Sequence, residues 1–498
     1  MGENPRAHGE LPAVILEGRH LPDRSAFRNR ISYNALIRLS GRLVGAAVTV
    51  VGLHLVTTYF GPSTWGLVVA AMALANLFVG LCDFGVARIV SRDVAARPDE
   101  APRVYGAGIL AALGNSFAGV AVMAITAYFL YEHRPAVKTL ALILLWSLPA
   151  NALWVTGGAV LVAKARNDTR AILDLGSSIL LLIGTIASIE LGFGSRGYVL
   201  FTVIADLVTA VLALTLARRY LRMKLRGTLA RVHRTLRAAQ PVGGSVALSS
   251  VYLQGDIILL SFVAGASAVG VFGVAYQIAL FVSSVPSMLM AAVLPKFLVG
   301  DHHRRRALAQ RALDMLCLAG GGVALVIAVF SRSILTLISG DRFVTAAPSL
   351  AILGVYAAMS FPTAVFVDGL VFVGQQRRLV PLFGVVSAVN VVFAAVLVPL
   401  YGAMGTAMTL LVSAVVMLAL ASMHYSRATH SHLSWRAPLR FSSTAIACFI
   451  GVRIVGSVTS LHSGTSWLTL FELFVVAAVY ASTSLLVGGR SLLRSSSR

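Results

Sequence analysis

Two arginines four residues apart, Arg38 and Arg42, precede the apolar run from Leu43 to Phe60. At that spacing both side chains lie on one helical face. Paired guanidiniums offer bidentate recognition of a diphosphate, a geometry that lysine cannot supply. The alternative is snorkelling, in which the two continue the basic ladder from Arg28 and Arg30 and keep their charges at the interface. Arg38 suits the second role better and Arg42 the first. Asp256, in Gln254-Gly255-Asp256, sits about two-thirds along another apolar stretch. A carboxylate at that depth must pair, protonate or face water. An arginine across a cavity, a coupling proton and an internal hydrogen bond are all open to it. Tyr276 and Gln277 add groups able to hydrogen-bond sugars. Asp83, with Arg88 and Arg92, closes another apolar run and reads as a helix cap or a gate. Pro149, Pro286 and Pro362 interrupt long apolar stretches and are bend points.

What must position these groups follows from composition. Hydrophobic residues make up 57% of the 498 and charged residues 12%, against roughly 45–50% and 25% in soluble domains. Mean hydropathy is +0.84. Such a chain is an all-α polytopic membrane protein. Apolar runs of about 20 residues, the length that crosses a ~30 Å core, number fourteen. They lie near 34–59, 64–86, 105–130, 138–163, 171–190, 198–217, 240–263, 268–298, 312–330, 346–373, 380–398, 402–424, 441–460 and 466–489. Charge supports the count. With the N-terminus inside, 33 of the 41 Lys and Arg fall on the cytoplasmic side, 5 outside and 3 within spans, as the positive-inside rule requires. The net charge of +22 therefore reflects topology, and no nucleic-acid partner is expected.

An internal repeat is visible. Gly61-Pro-Ser-Thr-Trp-Gly66 answers to Gly265-Ala-Ser-Ala-Val-Gly270, the turn at Gly194–Gly197 to that at Gly402–Gly405, and Pro149 to Pro362, at offsets of 204, 208 and 213 residues. Three landmarks in the same order divide the chain into two parallel six-span lobes. The expected layout is a cytoplasmic tail (1–33, read as disordered), an N-lobe (34–217) and a basic amphipathic linker (218–239) that touches anionic membrane lipids. A C-lobe (240–424), two appended spans (425–489) and a cytoplasmic C-terminal tail (490–498) follow. Paired parallel lobes suit alternating access. No pore loop or selectivity ring suggests a channel.

These landmarks resemble the MATE-like (MOP) exporter superfamily, and within it the polysaccharide-biosynthesis flippases of the Wzx type. The likeness rests on Tyr59–Leu67, Asp83-Phe84-Gly85 before Arg92, Gln254-Gly255-Asp256 through Gly270-Val271-Phe272, and Leu294-Pro295. Gly340–Phe343, Asn390 and Val398–Gly405 extend it. The resemblance implies a V-shaped bundle with a central hydrophilic cavity in a bacterial cytoplasmic membrane. It implies transfer of a polyprenyl-diphosphate-linked glycan to the outer leaflet, with glycan synthesis or polymerisation proteins nearby. A peptidoglycan-precursor flippase and a cation-coupled multidrug antiporter are the nearest alternatives. No covalent chemistry, cofactor or metal is expected beyond a coupling ion, H+ or Na+. Gly192–Gly197 fits G-x-G-x-x-G only by chance, since no strand precedes it.

Overall fold

The computed structural model describes residues 24–164, 166–224, 229–299 and 302–459, with residues 476, 479, 480, 482 and 483. Among them all regular structure is helical. The helices are α1 (Arg24–Asp83), α2 (Val86–Ala96), α3 (Ala101–Leu130), α4 (Pro135–Ile143), α5 (Ser147–Ala163), α6 (Asn167–Glu190) and α7 (Gly194–Tyr220). The remainder are α8 (Leu229–Val263), α9 (Ala266–Val299), α10 (His302–Ser339), α11 (Ala347–Phe372), α12 (Leu379–Thr429) and α13 (Arg436–Thr459).

Among the described residues, ten stretches are long and apolar enough to cross a membrane. Two of them hold a helix break that only glycine tolerates easily, Gly61 at φ 68° and Gly402 at φ 55°. At 1.5 Å per residue the 60 residues of α1 would reach about 90 Å, three times the hydrocarbon core. The chain instead folds back at the break, and Pro62 opens the second segment where no helical N–H is needed. The same logic divides α12 at Gly402. The residues of the expected fourteenth span lie mostly outside the described ones.

The first lobe packs α1, α3, α5, α6 and α7 together, and the second packs α8 to α12. They meet where α1 runs against α8 and α9. At one end of this seam a methyl group on Gly66 would overlap the Ala266 carbonyl, and one on Gly270 would overlap the Pro62 carbonyl. The two glycines that mark the repeat in sequence thus touch across the seam, as counterparts beside a pseudo-two-fold axis must. Towards the other end Gly80 faces Ser250, and Gly243 lies under the Phe84 ring. Both ends are closed in this structure.

Bends fall near the prolines in different ways. A 3₁₀ turn (Leu144–Trp146) separates α4 from α5 just ahead of Pro149. Pro362 lies inside α11 and cannot donate to the Ala358 carbonyl, against which α10 brings the bare face of Gly320. Pro286 is accommodated in α9, which runs through it unbroken.

Two expectations are corrected. The tail does not stay irregular up to residue 33, because α1 already begins at Arg24. Nor do residues 218–239 form one interfacial helix. The chain leaves α7 at Tyr220 and turns extended at Leu221 (φ −151°, ψ 112°). The Lys224 N–H then donates to the Pro102 carbonyl at 3.0 Å. From Leu229 it is already α8. Leu221 is buried, and Met223, Val232 and Leu236 pack against the core between α2 and α3. These apolar residues pack on protein, not on lipid.

Adding a side chain at the seam should therefore cost more than adding one elsewhere. Gly66→Ala should destabilise the folded protein by about 1–3 kcal/mol through overpacking and lower its melting temperature in detergent. Gly114→Ala, where a methyl would meet nothing within 4 Å, should not lower that temperature and should raise it slightly, since alanine favours the helix.

Candidate functional site

Asp256 lies on α8 and is fully buried. Its Oδ2 accepts a hydrogen bond from Asn390 Nδ2 at 3.0 Å, and the same amide reaches Ser413 Oγ at 3.3 Å. Asn390 precedes the break in α12 and Ser413 follows it, so three membrane segments of one lobe converge on this carboxylate. Asp256 Oδ1 and Asn390 Oδ1 have no hydrogen-bond partner among the described residues. Tyr252, Tyr276 and Tyr356 stand close by, each near enough to feel the Asp256 charge or one another. Tyr276 stacks on Phe272 and donates its hydroxyl to the Leu253 carbonyl at 2.7 Å. That commits it to packing in this conformation, while Gln277 beside it is half-buried. Of the arrangements open to Asp256, the described residues hold the internal hydrogen bond. Asp256 is bound within its own lobe, by an amide.

Arg38 and Arg42 fall on α1, but their side chains lie outside the described residues. Asp83 ends α1 at a turn made by Phe84 (φ 40°) and Gly85 (φ 73°). Its carboxylate faces the Gly85 and Ala87 N–H groups and the Arg88 guanidinium, while Phe84 reaches across the seam to Gly243. Cap and lobe contact are thus one turn. Arg92 points away, pairing with Asp93 at 2.8 Å. Among the other intramembrane acids, Asp174 pairs with Arg170 at 3.0 Å as a structural pair. Arg170 itself lies over the Trp154 ring.

Two lobe contacts were not singled out from sequence. At the charge-poor end Tyr131 stacks on Phe262 at 5.2 Å and shares a 3.1 Å hydrogen bond with Ser261. Arg134 donates to the Phe262 carbonyl at 3.0 Å, and His54 Nδ1 donates to the Ile338 carbonyl at 2.9 Å. At the basic end Arg231 forks onto Glu100, with its two nitrogens 2.8 and 3.2 Å from the carboxylate oxygens. The only sequence signal was an arginine or acid in a short loop, which carries no partner information.

The sequence profile of the polysaccharide biosynthesis protein family matches residues 31–298. The chain belongs to that family. Solved structures agree on the fold. The lipid II flippase MurJ in an inward closed conformation is 15% identical, with a TM-score of 0.69, over 93% of this chain and 99% of that one. An inward-facing multidrug-resistance MATE transporter of the MOP superfamily is 18% identical, with a TM-score of 0.66, over 80% and 99%. The Vibrio cholerae MATE transporter VcmN in its bent form is 17% identical, with a TM-score of 0.56, over 81% and 98%. Comparison with curated protein sequences finds no match. This member of the polysaccharide biosynthesis family is thus a multi-pass membrane protein built as two lobes, and the solved structures that share its fold are transporters and flippases.

The Glu100–Arg231 fork gives a pH test at the basic end. Arg231 holds the Glu100 carboxyl below its ordinary value, so the fork is complete above the usual carboxylate range and is lost as pH falls through the lowered one. Hydrogen exchange over residues 229–237 should be faster in Glu100→Gln than in wild type at pH 7, after allowing for intrinsic rates. The two should converge on acidification. A constant difference across the range would contradict the fork.

Proposed function

We propose that the protein is a lipid-linked oligosaccharide flippase that moves a polyprenyl-diphosphate-linked glycan from the inner to the outer leaflet by alternating access. The observation that carries this reading is membership of the polysaccharide biosynthesis family over residues 31–298. Two arginines in the first span support it, since a diphosphate headgroup wants paired guanidiniums. Arg42, then Arg38, would take the phosphates while the prenyl tail stays in lipid. Gln277 would offer hydrogen bonds to sugar, and Tyr276 would join it once its Leu253 contact opens. No bond is made or broken. Glycan synthesis or polymerisation proteins are its natural partners.

In this reading the basic end faces the cytoplasm of a bacterial cell, and both termini lie there. The lobes divide between Tyr220 and Leu229, and the appended helices begin at Arg436. The Tyr131–Arg134 clasp closes the outer mouth, and the Phe84–Gly243 contact closes the inner one. Asp256 carries the coupling ion. Fully buried among neutral partners, a carboxylate holds either a proton or a small cation, and Asn390 and Ser413 supply oxygens that suit Na+ as well as H+. A second reading, the lipid-linked peptidoglycan-precursor flippase, draws on the likeness to MurJ over 93% of the chain and uses the same charge logic. A cation-coupled drug antiporter fits less well, because the first span has arginines where a cationic drug wants acids.

Reconstituted vesicles separate these roles. Arg42→Ala should abolish flipping of a polyprenyl-diphosphate glycan, and Arg42→Lys should restore only part of it. Full activity in the alanine variant would place Arg42 at the interface as a snorkelling residue.

Asp256→Asn should express and fold normally and bind the headgroup nearly as well as wild type. Its transport should no longer respond to a proton or sodium gradient. An unchanged gradient response in matched vesicles would leave Asp256 a packing contact.

A further inference from the structure

The segment joining the second lobe to α13 is held to α10 by its backbone. Gln310 accepts the Ser434 N–H at 2.7 Å and donates to the Ser434 carbonyl at 3.0 Å, so one side chain pairs both faces of a peptide as a neighbouring strand would. Arg306 adds a bond to the His432 carbonyl at 3.1 Å. This strap fixes the start of α13 beside α10 and leaves between them a cavity of about 490 Å³, lined by Gln310, Arg311, Asp314, Ser434, Arg436 and Arg440. That size falls within the ~300–1,000 Å³ of small-molecule sites.

The lining is strongly biased. Three guanidiniums face one carboxylate, and Asp314 Oδ1 already accepts from Gln310 Nε2 at 2.9 Å. Arg436 and Arg440 are one helical turn apart on a single face of α13, and neither forms an ion pair among the described residues. Two arginines in that register match the oxygens of a phosphate ester. What lies beyond them selects the source of the phosphate. Leu439, Ile446 and Ile450 are 65%, 60% and 51% exposed. They lie along α13 on the flank adjoining the face that bears Arg436 and Arg440, and Met315, next to the lining residue Asp314 on α10, is exposed. A polar anion pocket opening onto an exposed apolar stripe at the end of a membrane helix is the shape of a phospholipid, headgroup in the pocket and acyl chains along the stripe.

We infer that the α10–α13 cavity is a binding site for the phosphodiester headgroup of an anionic membrane phospholipid, held chiefly by Arg436 and Arg440. The occupied site would brace the appended helices against the second lobe at the basic face, where such lipids are concentrated. It is separate from the arginines of the first span and from Asp256, and it does not depend on what the protein transports.

The test uses the full chain in detergent, titrated with phosphatidylglycerol, phosphatidylcholine or inorganic phosphate and read by native mass spectrometry. Phosphatidylglycerol should bind more tightly than phosphatidylcholine. The double variant Arg436→Gln/Arg440→Gln should lose roughly 30-fold in that affinity, the size expected for two basic residues beside an anionic headgroup. Inorganic phosphate at millimolar concentration should not displace the lipid. Equal binding of the two lipids, an unchanged double variant, or displacement by phosphate would each overturn the inference, the last by showing a small-anion site. A wild-type arm removes any dependence on how the variant folds. Phosphatidylglycerol with a photoreactive headgroup should crosslink within 306–316 and 434–442, and crosslinks confined to other segments would refute the site.

Discussion

Backbone-to-backbone approach at Gly66 and Gly270 is the constraint on which the rest of this structure depends. Each glycine sits where a single methyl group would collide with a carbonyl of the opposite lobe. Inside a bilayer there is no hydrophobic drive to bring helices together, so close contact between small residues supplies the attraction. That contact lets α1 cross α9, and the crossing sets α1 along α8 for the rest of its length. The Gly61 break and Pro62 then follow as the means of bringing the chain back into position for the crossing.

Charge in the membrane is handled differently in the two halves. Asp256, an acid of the second half, is enclosed by its own lobe and touched by an amide, with no guanidinium against it among the described residues. The arginines of the first half stand in the first span, before the seam. Among the described residues Asp256 forms no buried ion pair, whose desolvation would offset much of its attraction.

Much of this is legible in the sequence. Span positions and the basic side were readable because hydropathy and Lys/Arg placement are local properties summed over about 20 residues. The repeat was readable because glycine and proline leave a mark wherever backbone geometry demands them, as at Gly61, Gly194 and Gly402, all three at positive φ. The linker was misread for a reason the residues could not disclose. Leu221, Val232 and Leu236 have the spacing of a lipid-facing helix, and only the presence of α2 and α3 beside them decides that they pack on protein. Depth and motif single out Asp256, but its partner Asn390 lies 134 residues away, where no spacing rule joins the two. The clasp at Tyr131 and Arg134 depends likewise on a loop meeting the end of a distant helix.

One helix carries a mechanical consequence. Between Gly243 and Val263, α8 is 21 residues of apolar helix, a rod of about 31 Å. Gly243 is pressed by Phe84 at one end, and Ser261 and Phe262 are held by Tyr131 and Arg134 at the other. If the rod turns by about 15° around its middle, its tips move by about 4 Å in opposite directions. Contact released at one tip is therefore contact tightened at the other. Asp256 is three residues from the midpoint and travels only about 1 Å in the same motion. The buried carboxylate sits near the fulcrum of a seesaw, where the seat stays still while the two ends change places.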